Sequence, residues 1–124
     1  MSAVTIAQLI AQREAIKEKK KALYDLETSV GTITVKPPTG ALVAEAWDMP
    51  NAFEGNAHIV YECVIAPDLK SKELQDAFGV FEPTEIVTAI FQVGEVNKIA
   101  GKLLDISGFK GKIVGKLHEE TKNS

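Results

Sequence analysis

This chain of 124 residues has little of what catalytic and membrane proteins are usually built from. It holds one cysteine, Cys63, so no disulfide can form within it. That residue lies in the apolar run Ile59–Ile65 and reads as a small buried hydrophobe of a reducing compartment. Histidines number two. No apolar run approaches the roughly 20 residues that a membrane span needs. The stretch from Met1 to Lys21 lacks the basic opening and unbroken apolar core of a secretory signal. The chain is therefore expected in the cytosol, with no membrane partner. Positive charge is not in excess either, since the net charge is -3. Nucleic-acid affinity rests on neutralising phosphates, so no nucleic-acid partner is expected.

What is present suits a globular domain. The hydrophobic fraction is 45% and the charged fraction 25%, which excludes a disordered polar chain. A single domain of this length buries roughly two thirds of the surface its unfolded chain exposes. Such a chain has a real core but little room for a deep active site.

Local signals divide the chain into short elements. Thr5, with Gln8 three residues on, forms a capping box for a first helix whose apolar face is Ile6, Leu9 and Ile10. That face fades after Ala11, so the helix packs by its first turns or stays free to meet a partner. Thr32-Ile33-Thr34-Val35 alternates and is β-branched, which predicts a hairpin near residues 22–36 with a turn at Ser29–Gly31. Pro37 and Pro38 end it, because neither can donate to a ladder. Leu42, Val43, Ala46 and Trp47 then follow a helical period up to Pro50. Asn51 caps the next helix, with core face Phe53, Ala57, Val60, Tyr61 and Val64, and Pro67 ends it. Gly55 inside that helix points to a close helix contact, because it costs about 1 kcal/mol relative to Ala.

Ser71 caps a short helix over Lys72–Phe78, with Gly79 as its left-handed stop. Pro83 opens another, with stripe Ile86, Val87, Ile90 and Phe91. Gly94 is expected to break the chain before a last helix near 95–107, whose core face is Val96, Ile99, Ala100 and Leu103. The fold class is α+β, mainly α: an N-terminal helix and a small β-hairpin, then a bundle of about five short helices. Residues 1–109 form the single domain. Residues 110–124 form a polar, flexible tail in which Ile113, Val114 and Leu117 make at most one amphipathic turn.

No constellation of reactive groups stands out. His58 and Glu62 share a helix face at a spacing that suits two metal ligands, but no third ligand joins them. His118-Glu119-Glu120 reads as a solvated charge run. Gly111-Lys-Ile-Val-Gly115-Lys116 has three residues between its glycines where a phosphate loop needs four, and Leu117 replaces the required hydroxyl. Gly108-Phe-Lys-Gly111 matches a GXXG clamp, but a helix stop explains its glycines. No catalytic residue, cofactor or metal is expected. Trp47 and Phe53 flank the Met49-Pro50 turn and read as core residues at a helix corner, or else as an exposed aromatic anchor.

An ordered series of fragments carries a family resemblance. Glu73-Leu-Gln-Asp-Ala-Phe-Gly-Val80 is followed by Pro83-Thr-Glu85, Ile90-Phe91, Gly94-Glu95 and Ser107-Gly-Phe109, and is preceded by Gly31-Thr-Ile-Thr-Val-Lys36. At these spacings the chain resembles, over about residues 5–109, the XkdN-like tail assembly chaperones of phages and phage-like elements. Val93 stands where that family leads one to expect proline, and the first helix is more elaborate than its usual start.

The resemblance implies a non-enzymatic protein that binds the tape measure protein and keeps it soluble while the tail tube assembles around it. It implies a place in the host bacterial cytoplasm and absence from the mature virion. It also implies a longer form, made by programmed frameshift near the gene's end, that recruits the tail tube protein. Self-association is compatible with such a role. The alternative is a structural phage protein, such as a head–tail connector or minor tail component. A helical client with an apolar stripe needs a groove between amphipathic helices. That groove is expected beside the Pro83–Phe91 and Glu95–Ile106 helices, with Phe81, Phe91 and Phe109 as partner-binding rim anchors. The competing reading makes all three phenylalanines core.

Overall fold

The computed structural model describes residues 2–109 and 113–118. Most of the expected tail, residues 110–112 and 119–124, lies outside the described residues. Ile113 to His118 carry neither helix nor strand. Ile113, Val114 and Leu117 form no helical turn there, and all three side chains are exposed.

The chain opens with two helical segments, α1 (Ile6–Ala11) and α2 (Arg13–Lys21), joined at Gln12. Thr5 and Gln8 form the reciprocal capping box: the Gln8 N–H donates to Thr5 Oγ1 at 3.1 Å, and the Thr5 N–H to Gln8 Oε1 at 2.7 Å. Neither segment buries a residue.

A hairpin follows, β1 (Tyr24–Thr28) and β2 (Gly31–Val35), antiparallel with Leu26 opposite Ile33 and Thr28 opposite Gly31. Gly31 takes φ 123°, a conformation that a side chain would disfavour. The two faces of β2 divide as the alternation requires. Ile33 and Val35 are buried, while Thr32 Oγ1 donates to Glu27 Oε1 at 2.6 Å and Thr34 Oγ1 to Asp25 Oδ1 at 2.8 Å.

Five helices make the body: α3 (Gly40–Trp47), α4 (Ala52–Cys63), α5 (Lys72–Phe78), α6 (Glu85–Ile90) and α7 (Val93–Ile106). Three of the five starts are local chemistry, while α6 begins at Glu85, two residues past the expected Pro83, and neither it nor α7 has a side-chain cap. Thr39, Asn51 and Ser71 accept from the backbone N–H three residues on, and Gly79 at φ 64° stops α5. The helix α4 lies at the centre, against α3, α6 and α7. It buries Gly55, Ile59, Val60, Tyr61 and Cys63, and α7 answers with Val96, Ile99, Ala100 and Leu103. Each large aliphatic side chain so buried contributes about 1.5–3 kcal/mol before ordering costs. Asn56 Nδ2 donates to Asn97 Oδ1 at 3.0 Å across the α4–α7 seam.

Two expectations change, and one core residue carried no sequence signal. The helix through Cys63 does not run on to Pro67. Val64–Ala66 leaves it as a third strand, β3, antiparallel to β2 with Val35 opposite Val64. The free edge of β2 needs a partner, and proline holds the residue before it extended, so the apolar run serves both elements. Gly94 does not break the chain; it sits in the first turn of α7, where glycine disturbs little. Leu69, which lies in no periodic stripe, is 1% exposed in the turn before α5, and its carbonyl accepts from Gln75 Nε2 at 2.9 Å.

The glycine inside α4 does mark a close approach. A Cβ on Gly55 would press on the Ala46 carbonyl oxygen nearer than side chains tolerate, and on the Ala46 carbonyl carbon at 3.1 Å. Both neighbours are backbone, so α3 would have to move. Replacing Gly55 by Ala is therefore expected to destabilise the fold by about 1–3 kcal/mol, outweighing alanine's helix preference. A urea midpoint no lower than that of the parent chain would show that α3 and α4 are free to separate there.

Candidate functional site

The residues that could have carried chemistry are drawn apart. His58 Nε2 lies 3.1 Å from Glu45 Oε2 on α3, while Glu62 accepts from Lys70 Nζ at 2.9 Å. The shared helix face thus serves two separate pairs, and among the described residues no three potential metal ligands converge. The Glu62 partnership raises the Lys70 pKa. Cys63 is fully buried, and loss of hydration pushes its thiol up to about 11. That suppresses the thiolate and leaves a packing residue.

The surface is more telling. Phe81 is 95% exposed in the loop between α5 and α6. Trp47, at the end of α3, is 67% exposed and meets the half-exposed Phe109 edge to face, with ring centroids 5.6 Å apart. Phe91 differs: it is 3% exposed within the core cluster, so it cannot be a rim anchor. Its position one residue past α6 turns it inward beside Ile86 and Val87. Of the three phenylalanines, Phe81 and Phe109 stay available for contact. The core reading of Trp47 also fails, because Val43 and Ala46 already fill the buried side of α3; Phe53 is half-buried against the core.

A hollow of about 320 Å³ opens beside α6, on its α4 side rather than towards α7. Met49, Phe53 and Ala57 form its apolar part, and Glu54, Glu82 and Glu85 stand around it. Residues 49–58 and 82–88 are far apart in sequence, so nothing local announced this hollow. The first two helical segments add Ile6, Leu9, Ile10 and Ile16, all exposed. Among the described residues, no helix is long and apolar enough to cross a membrane.

One polar clasp fixes the hairpin to the bundle. The Ser29 N–H donates to Glu95 Oε2 at 2.8 Å, and the Ser29 hydroxyl donates to Oε1 of the same carboxylate. These two hydrogen bonds, hydroxyl first, hold the Glu95 pKa below its ordinary value of 4.5. Glu95 also lies in the first turn of α7, where negative charge is favoured.

The pattern of the phage XkdN-like tail assembly chaperone protein family (TAC) matches residues 32–122. The chain belongs to the XkdN-like tail assembly chaperones. It is 35% identical over 68 residues to the phage-like element PBSX protein XkdN of Bacillus subtilis (strain 168). That alignment takes in 54% of this chain and 45% of the relative, so the chain spans less than half of it. Among solved structures none matches. The matched span starts within β2, later than the expected residue 5, and leaves α1, α2 and β1 of this tail assembly chaperone outside it.

Two measurements check the site electrostatics of this chaperone. Cys63 should resist maleimide labelling at mildly alkaline pH in the native chain and react once urea unfolds it; fast native labelling would place it at the surface. A carboxyl with a lowered folded pKa contributes stability that is full above its unfolded pKa and is lost as pH falls through the folded one. An NMR titration of Glu95 should thus have its midpoint below 4.5, and Ser29→Ala should move it back up. A midpoint insensitive to Ser29→Ala would show that the clasp does not form.

Proposed function

We propose that this chaperone binds the tape measure protein of its phage or prophage and keeps it soluble while the tail tube assembles. The observation that carries the reading is the family match over residues 32–122, which includes every helix of the body. The work takes place in the host cytoplasm, and the chain is absent from the finished virion. A frameshifted longer form brings in the tail tube protein.

Binding needs no chemistry, only apolar surface that a long helical client can cover. The exposed Phe81 and the Trp47–Phe109 pair supply it. Aromatic residues with one free face are efficient anchors, because they bury a large area with few rotatable bonds.

Phe81 is so exposed that its replacement should leave the fold intact. In co-expression with the tape measure protein, Phe81→Asp and Trp47→Ala together are expected to reduce soluble client several-fold, with circular dichroism showing the fold retained. Undiminished soluble client would remove these aromatics from the binding surface. Peptide mass spectrometry of purified virions should find no stoichiometric amount of the chain; finding it there would favour a structural tail component.

A further inference from the structure

We propose that the chain's own C-terminal segment, Ile113–His118, docks in the acidic hollow between α4 and α6 of the same chain and covers it. The inference concerns a contact within one chain and needs no client.

The first observation is an apolar group left bare. Ile113, Val114 and Leu117 are 98%, 88% and 86% exposed. Their spacing of one and four residues would set them on one side of a single helical turn. Adjacent bare aliphatic side chains mark a contact site more than a solvated tail. The family match extends past the body to residue 122, so this segment belongs to what the family shares.

The second observation is charge. Residues 110–118 carry Lys110, Lys112 and Lys116 and no Asp or Glu, a net of +3 with His neutral. The hollow has the opposite character. Met49, Phe53 and Ala57 form its apolar part, Glu54, Glu82 and Glu85 stand around it, and no Lys or Arg lines it. Three other hollows all carry lysine: one has Lys98 and Lys102, one Lys19 and Lys20, and one Lys36. A basic amphipathic segment is therefore drawn to the α4–α6 hollow and disfavoured at those three.

The third observation is position. Just past α7, Phe109 meets Trp47 edge to face, with ring centroids 5.6 Å apart. Trp47 stands two residues before Met49, which lines the hollow. Two residues span at most about 7 Å, whereas the eight residues from Phe109 to Leu117 reach about 28 Å when extended. The tether is long enough for docking within the chain. A tether this short holds the segment at an effective concentration of about millimolar, so a modest contact suffices. Docked, the segment shields Met49 and Phe53 from water, and another basic amphipathic partner has to displace it.

A spin label on His118→Cys tests this in the full chain, since the buried Cys63 does not compete for the label. Amide signals of residues 53–57 and 82–88 should broaden most strongly, and Glu54→Lys with Glu82→Lys should abolish the effect. An isotope-labelled chain mixed with a spin-labelled chain free of isotope should show no such broadening. Broadening in that mixture equal to that within one chain overturns the proposal, and so does its absence at the hollow in the parent chain. A fluorescent peptide of residues 110–121 gives a second readout. It should bind Ile113→Asp with Leu117→Asp, whose hollow is open, at least about tenfold more tightly than the parent, whose hollow is filled. A misfolded variant cannot gain affinity in this way, and circular dichroism checks each fold. Equal affinity for the two chains overturns the proposal. Neither measurement contains the tape measure protein, so the outcome is independent of client binding.

Discussion

The backbone contact of α4 with α3 at Gly55 and Ala46 is the constraint on which the body depends. It lets the α4 backbone come close to that of α3 at this one point, and so brings Ile59, Val60 and Cys63 to the middle of the core. From there α4 meets α7 along Val96, Ile99, Ala100 and Leu103, and meets α6 at Ile86 and Val87. Its far end delivers Val64 to the open edge of β2. One helix therefore joins the sheet to the bundle, and a shift of α3 away from it would disturb both.

Around that core the polar contacts are peripheral and light. The Ser29–Glu95 clasp, the Asn56–Asn97 bridge and the bond from Ser107 Oγ to the Pro38 carbonyl tie hairpin, linker and bundle together. No charged or polar residue among those described belongs to the buried set. The interior is devoted to packing, and the distinctive chemistry lies outside: bare aromatics, an acidic hollow and a basic helix.

Much of the fold is legible in single residues. Thr5, Asn51 and Ser71 announce helix starts because a side-chain oxygen three residues upstream satisfies an orphan N–H, whatever packs later. Gly79 announces a stop because only glycine takes φ 64° without cost. The stripes of α6 and α7 and the alternation of β2 are equally readable, since burial follows period. The contact surface was less so. Phe81, Phe91 and Phe109 look alike in sequence, yet one is core, one is bare and one shares an edge with Trp47. The stripe of Ile86, Val87 and Ile90 takes in Phe91 and so marked it for the core, whereas Phe81 and Phe109 lie beyond helix ends, where no period applies. The hollow was hidden for a similar reason, being formed where two distant segments meet.

Composition, caps, stops and the ordered motif fragments by themselves determined a small helical protein with a hairpin, and pointed to its family. Each of these signals acts within a few residues, so tertiary context does not alter it. Tertiary structure alone decided that Val64–Ala66 pairs as a strand rather than ending a helix, because the edge of β2 is what satisfies its backbone. It alone decided which aromatics face solvent, and that α1–α2 stands apart from the core. Those outcomes depend on which surfaces the packed body leaves covered, and that is a property of the whole chain.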